Sequence, residues 1–204
     1  MQSICYIVGA GEDYGLDFQP KAGDLVIAAD GGYDRVKAAG LWPDLIIGDF
    51  DSLGRIPGED HVITLPTVKD VTDTWAAIEL GKERGYRCFR LYGCTGGRFD
   101  HSLANIQTLA ALAEAGMAGY LVDRHQIITA LSNGTMVFPP EQTGFLSVFS
   151  HTDRCTGVTL KGLKYELEHA ELTNRFPLGV SNEFLGKPGS VTIGEGIAVL
   201  VFAR

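Results

Sequence analysis

The chain has 204 residues, enough for one full core or two modest ones, and its 45% hydrophobic and 21% charged residues describe a globular rather than a disordered chain. Its 17 basic against 25 acidic side chains, a net charge of -8, argue against a nonspecific nucleic-acid surface. No segment approaches the roughly 18 continuous apolar residues that span a bilayer, and no basic leader with an apolar run and cleavage site opens the sequence. Cys5, Cys88, Cys94 and Cys155 are scattered without a CxxC pair and read as reduced thiols, so a cytoplasmic protein without membrane or nucleic-acid partners is expected.

The first 125 or so residues alternate between strand and helix signals. Ser3–Val8 and Leu25–Ala29 are short apolar runs that read as buried strands, with Asp44–Ile47 and His61–Leu65 as a third and fourth. Asp70 or Thr72 can cap a helix running through Trp75, Ile78 and Leu80 to about Arg84, which Gly85 stops. A strand follows at Tyr86–Tyr92. A second helix, from Ser102 to about Ala115, carries Leu103, Ile106, Leu109, Ala110 and Ala113 at the clearest 3.6-residue spacing in the chain. Tyr120–Val122 returns to the sheet. This alternation predicts a mostly parallel α/β sandwich over residues 1–125.

After Asp123 the pattern becomes all β. Ile127–Leu131 and Thr135–Phe138 flank Ser132-Asn133-Gly134, a strong turn signal between two strands. Short β runs continue at Phe145–Phe149, Gly157–Leu160, Tyr165–Glu168 and Val191–Val201. They predict a second, all-β domain over residues 126–204, closed as a sandwich or small barrel.

Three polar segments follow strands in the α/β half, where open parallel sheets bind ligands. In Gly48-Asp49-Phe50-Asp51-Ser52, extended backbone would aim Asp49 and Asp51 to one side and Phe50 to the core. Two adjacent carboxylates repel unless a cation or proton separates them, so Mg2+ is the natural guest, the alternative being a solvated acidic turn. In Lys69-Asp70-Val71-Thr72-Asp73 an acid serves either a ligand or the helix start, and Lys69 either meets a phosphate or is solvated. In Gly93-Cys94-Thr95-Gly96-Gly97-Arg98-Phe99-Asp100-His101 the glycines let amides approach an anion and Arg98 adds a fork of donors. Asp100 can hold a metal, orient an acceptor hydroxyl or cap the helix, and His101 is equally a structural residue.

Gly9-Ala10-Gly11, with Asp30 roughly 20 residues on, resembles half of a dinucleotide fingerprint, but Tyr14 replaces its third glycine. Hydride transfer is therefore poorly supported. Asp49-Phe50-Asp51-Ser52 does not follow the first strand, which favours a metal-holding pair over an aspartyl nucleophile. In the β half, Tyr165 offers an aromatic face, and Ser181 and Asn182 can fix the heteroatoms of an aromatic ligand, although each is equally ordinary strand or turn chemistry.

The ordered set Ala29-Asp30-Gly31-Gly32, Pro43 through Ser52, Lys69 through Asp73, Gly96 through His101, Gly162-Leu163-Lys164-Tyr165 and Gly179-Val180-Ser181-Asn182-Glu183 resembles the thiamine pyrophosphokinase family, in its bacterial-like form, over nearly the whole chain. The resemblance implies conversion of ATP and thiamine to AMP and thiamine diphosphate with Mg2+. It also implies an α/β catalytic domain, a C-terminal β-sandwich and a homodimer with active sites between subunits. Carried onto this chain, it makes Asp49, Asp51, Asp73 and Asp100 the acidic catalytic positions, joined by Arg98, with Asp49, Asp51 and Asp73 on the metal. Asp30, Gly31, Lys69, Asp70, Thr95, Gly96, Gly97 and Arg98 fall on the ATP side. Tyr165, where some members have tryptophan, Ser181 and Asn182 fall on the thiamine side. The alternatives are another ATP-dependent small-alcohol kinase and a nonenzymatic nucleotide or thiamine sensor.

Overall fold

The computed structural model describes residues 2–50, 54–66, 68 and 70–204. It divides into two compact units, Met1–Asn105 with Leu121–Asp123, and Ile106–Tyr120 with Arg124–Arg204.

In chain order the first unit contains β1 (Cys5–Val8), β2 (Leu25–Ala29), α1 (Gly32–Ala38), β3 (Leu45–Gly48), β4 (Val62–Thr64), α2 (Asp73–Glu83) and β5 (Cys88–Tyr92). Next come α3 (Phe99–Glu114) and β6 (Ala118–Val122), within which the division between units falls. The strands run β5-β1-β2-β3-β4 with every pair parallel, as the alternation of signals predicts. β1, β2 and β3 are buried at every position, which is why their sequences are unbroken apolar runs rather than alternating ones. Val8, Val26, Ala28 and Ile46 pack into one core with Phe18, whose ring stacks on Tyr6 at 4.1 Å.

Thr72, one of the two expected caps, closes the start of α2: its hydroxyl accepts the Trp75 N–H at 3.1 Å. α3 begins at Phe99 rather than Ser102. α1 has no counterpart in the sequence reading, because it is short and opens on glycine, a poor helix former. That glycine is needed for packing: a Cβ at Gly32 would lie 1.8 Å from the Val8 carbonyl oxygen.

The second unit adds β7 (Gln126–Ser132), β8 (Thr135–Phe138), β9 (Phe145–Ser150), β10 (Arg154–Lys161), β11 (Leu167–Thr173), β12 (Asn182–Glu183), β13 (Gly189–Thr192) and β14 (Ile197–Ala203). They form two antiparallel layers, β12-β9-β14-β7 and β11-β10-β13-β8. Leu146, Val148 and Leu200 from one layer meet Val158, Leu160 and Val191 from the other in a shared core. Phe138 sits there between Phe184 and Phe202, its ring centroid 5.0 Å and 5.2 Å from theirs.

Two local expectations change and one holds. Ser132-Asn133-Gly134 turns the chain between two strands as expected, and because β7 pairs with β14 and β8 with β13 the turn is a corner between layers. The Val191–Val201 run is likewise split across both layers by Gly194-Glu195-Gly196. The two corners lock together: Asn133 Oδ1 accepts the Gly196 N–H at 2.9 Å, and the Ile193 N–H donates to the Gly134 carbonyl at 2.8 Å. Finally, β11 starts at Leu167 rather than Tyr165, because Tyr165 is held by a side-chain brace to residue 182.

Candidate active site

The acidic residues of the first unit stand where parallel strands end. Asp30 follows β2 and Asp49 follows β3, and the two strand ends abut: a Cβ at Gly48 would come within 3.1 Å of the Asp30 Cα. The Asp30 N–H donates to the Ile47 carbonyl at 2.8 Å, fixing this approach. Gly31 is the N-cap residue of α1, without a side-chain cap. Asp30 and Phe50 both hold left-handed backbone, φ 49° and 60°, a conformation costly for residues with a Cβ and concentrated at functional sites. Phe50 is 2% exposed, in the core as expected. Its positive φ means that the backbone turns there, so the extended-strand argument for aiming Asp49 and Asp51 together does not describe this segment. Asp51 itself lies outside the described residues.

The second acidic segment leads into α2. Lys69 lies outside the described residues and Asp70 is exposed, whereas Asp73 is half-buried in the first turn. Since Thr72 makes the cap, the Asp73 carboxylate is not needed for it. Oδ1 of Asp73 and Oδ1 of Asp30 are both shielded from solvent. Hard carboxylate oxygens are the donors Mg2+ prefers, so Asp49 and Asp73 fit that ion in kind. Among the described residues, no three His, Cys, Asp or Glu side chains gather closely enough to hold a cation. The third acid of the expected set is Asp51.

The glycine turn after β5 is built against the loop after β1. Gly9 N–H donates to the Tyr92 carbonyl (2.8 Å), Gly11 N–H to Gly93 (2.7 Å) and Glu12 N–H to Thr95 (2.9 Å). A Cβ at Gly11 would lie 2.6 Å from the Thr95 carbonyl oxygen, so the glycines of Gly9-Ala10-Gly11 serve this close packing. Arg35 of α1 seals the junction by donating to the carbonyls of Gly9 (2.8 Å), Ala10 (3.0 Å) and Gly11. Thr95 is buried, and its hydroxyl donates to Asp123 at 2.6 Å, while Asn105 of α3 donates to the Cys94 carbonyl at 2.7 Å. Arg35, Asp123, Asn105 and Glu12 escaped the sequence reading because no local motif marks them; each acts on a segment distant in sequence.

Gly96 and Gly97 have φ of 76° and 60°, as a tight turn requires. Gly97 is exposed, and its N–H meets Glu12 Oε1 at 3.1 Å. Arg98 and Asp100 form a two-pronged pair, Nε to Oδ1 at 3.2 Å and a terminal nitrogen to Oδ2 at 2.6 Å, and Oδ1 also accepts the His101 N–H. The guanidinium hydrogen bond holds the Asp100 carboxyl below the usual carboxylate range. Both side chains are largely exposed, 72% and 63%, so the pair contributes little to stability and is open to exchange with a ligand.

In the second unit, Asn182 is 3% exposed and turns inward. Its Oδ1 accepts the N–H groups of Tyr165 and Glu183, each at 2.9 Å, and its amide donates to the Tyr165 carbonyl at 2.7 Å. The effect is to present Tyr165, a residue that remains 59% exposed. Lys164 donates to Glu183 at 2.6 Å, and its ammonium lies 5.6 Å from the Tyr165 ring centroid. Ser181 is exposed with φ of 58°, and its N–H donates to Ser147 Oγ at 3.1 Å. Gly179 beside it has no room for a side chain, since a Cβ would lie 2.2 Å from the Val148 carbonyl oxygen.

A parallel sheet whose strand ends carry acids and a glycine turn, joined in one chain to an antiparallel sandwich presenting an aromatic ring, defines a two-unit α/β and all-β protein. The thiamin pyrophosphokinase catalytic-domain family matches residues 20–121, half of the chain, and the thiamin pyrophosphokinase vitamin B1 binding domain family matches residues 135–198. The chain belongs to the thiamin pyrophosphokinase family. It is 28% identical over 191 residues to thiamine pyrophosphokinase of Bacillus subtilis, covering 87% of this chain and 86% of that protein. The crystal structure of a Bacillus subtilis thiamine pyrophosphokinase is similar over 99% of both chains, with a TM-score of 0.88 at 26% identity. That of a thiamin pyrophosphokinase from Geobacillus thermodenitrificans is similar over 98% of this chain and 97% of its own, with a TM-score of 0.83 at 29% identity.

Proposed function

We propose that this chain is an enzyme that transfers the pyrophosphoryl group of ATP to thiamine, giving thiamine diphosphate and AMP. The observation that carries the reading is the match of both parts of one chain, in order, to the catalytic and vitamin B1 binding domains of a single enzyme family. The ring of exposed Tyr165 and the acids at the ends of β2 and β3 supply chemistry of the right kind for an aromatic acceptor and a phosphate donor. Residues 1–125 carry catalysis and residues 126–204 carry thiamine recognition.

In the reaction, the thiamine hydroxyl oxygen attacks the β-phosphorus of ATP. The bond from that phosphorus to the bridging oxygen breaks, and AMP leaves with the oxygen. Asp49, Asp51 and Asp73 hold Mg2+, which when bound offsets phosphate charge. Asp30, Gly31, Lys69, Asp70, Thr95, Gly96 and Gly97 form the nucleotide side. Arg98 exchanges its bond to Asp100 for one to phosphate, and the released Asp100 orients the attacking hydroxyl, whose proton passes to solvent. Tyr165 stacks on the thiamine ring, with Ser181 and the Asn182 brace setting its position.

The protein works in the cytoplasm as a homodimer with active sites between subunits. Phe145 and Phe149 on the outer face of β9, together with Phe176, Val180 and Leu185, give the second unit an exposed apolar surface suited to a second copy.

Product analysis tests the reading directly. Incubation with thiamine, ATP and Mg2+ should yield AMP and thiamine diphosphate in equal amounts. ADP with thiamine monophosphate would identify an ordinary kinase instead, and binding without turnover a sensor.

A further inference from the structure

Glu12 fills an unspecified position of the broken fingerprint between Gly11 and Tyr14, yet its carboxylate reaches the glycine turn. Oε1 accepts the Gly97 N–H at 3.1 Å, and a Cβ at Gly96 would lie 2.7 Å from the Glu12 carboxyl carbon. The position is fixed from two sides. The Glu12 N–H donates to the Thr95 carbonyl at 2.9 Å, and the Tyr14 hydroxyl donates to Oε2 at 2.7 Å. Backbone N–H groups in a turn of positive-φ glycines are an anion-binding arrangement, and here the anion is the protein's own.

We infer that Glu12 is a resident anion in the nucleotide site, holding the phosphate-accepting amide of the glycine turn until a phosphate of ATP displaces it. The inference rests on the assignment of Gly96 and Gly97 to the nucleotide side. Its consequence is selectivity. A singly charged anion gains little by replacing a carboxylate already in place, whereas a triphosphate brings further charge and contacts and wins the exchange. Glu12 therefore discriminates against weakly charged competitors at a cost in ATP affinity.

The test is calorimetric titration with the α,β-methylene analogue of ATP, in which the bond broken in the reaction is replaced by a stable one. Glu12→Gln keeps the shape and a neutral acceptor for the Gly97 N–H but removes the charge. It should bind the analogue roughly fivefold tighter than the unmodified chain. Glu12→Ala, which vacates the turn, should also bind it tighter. Tyr14→Phe, which only loosens the carboxylate, should change affinity in the same direction by less. A bracing role predicts the opposite pattern, with Glu12→Ala weaker and Glu12→Gln unchanged, and that result overturns the inference alone, since the unmodified chain still binds the analogue. If the unmodified chain does not bind the analogue at all, the nucleotide assignment falls and the inference falls with it. Melting temperatures of the three variants establish that each is folded.

Discussion

The two units use their motif residues in opposite ways. In the first, the chemistry-bearing side chains stand at the ends of strands whose interiors are wholly apolar, and the backbone beneath them takes left-handed turns at Asp30 and Phe50. Thr72, Arg35 and Asn105 make the cap and seal the glycine turn, so those fastenings do not depend on the acids. In the second unit the motif residues are themselves fasteners. Asn182 is spent on the backbone of Tyr165, and Gly179 exists to let the chain pass Val148. Substitutions of the first unit's acids should therefore separate catalysis from stability, while those at the second unit's fasteners, unlike the Tyr165 they present, should mix binding with stability.

The largest expected effect tests the first half of that contrast. Asp73→Asn should fold normally, because Thr72 still caps α2, but lose at least about a hundredfold in turnover, since the loss of one anionic ligand weakens the hold on the Mg2+ that offsets phosphate charge. Thermal unfolding beside turnover across a magnesium titration checks it. Near-normal rates at low magnesium would remove Asp73 from the metal set, and a large drop in melting temperature would show that the acid is a fold residue after all.

The second half is tested by two neighbours. Tyr165→Ala should weaken thiamine binding roughly tenfold and leave ATP binding and melting temperature nearly unchanged, because the ring is mostly exposed; Tyr165→Trp should retain more of the affinity. Asn182→Ala should lower stability by about 1–2 kcal/mol, since it removes the partner of three part-buried backbone groups, and should weaken thiamine binding as a consequence. Titrations with each substrate beside denaturant unfolding distinguish them. If Tyr165→Ala destabilises the chain as much as Asn182→Ala does, the ring is a packing element and the distinction between presenter and presented collapses.

Much of this was legible in the sequence, and the parts that were not share a cause. Buried parallel strands announce themselves as apolar runs such as Leu25–Ala29, and a threonine before an acid announces a helix start, because both signals are local. The acids at the strand ends were legible for the same reason. Partner choice is not local: Asn133-Gly134 specifies a turn, but only the Gly194–Gly196 segment, far along the chain, makes it a corner between layers. Arg35 and Glu12 were invisible on the same ground, since their partners lie 24 to 26 and 85 positions away. The inward turn of Asn182 needed the burial of its side chain to be seen.

The smallest expected effect is the absence of a reaction, and it concerns how firmly the glycine turn is closed. Cys94 lies inside that turn, its thiol donating to the Tyr92 carbonyl at 3.3 Å with Gly9 packed so closely that a Cβ there would sit 2.9 Å from Sγ. Burial is the largest influence on this thiol and pushes its pKa up to about 11, with hydrogen bonds from Thr74 and the Gly9 backbone and the charge of Arg35 pulling the other way. Burial likewise raises Cys5, to about 12, and Cys88. A raised thiol pKa favours the neutral form, so at pH 8, about three units below, on the order of one Cys94 in a thousand would be thiolate even with full access. Alkylation of the native protein at pH 8 should therefore leave Cys94 unmodified over hours, while denaturant exposes it at once; mass spectrometry of the labelled peptides reads the site. If Cys94 labels rapidly in the folded chain, the turn opens on its own. In that case Arg35, Asn105 and the backbone bonds of Gly9 and Gly11 do not keep the turn closed, and suppression of the labelling by the ATP analogue would show which state of the turn the nucleotide selects.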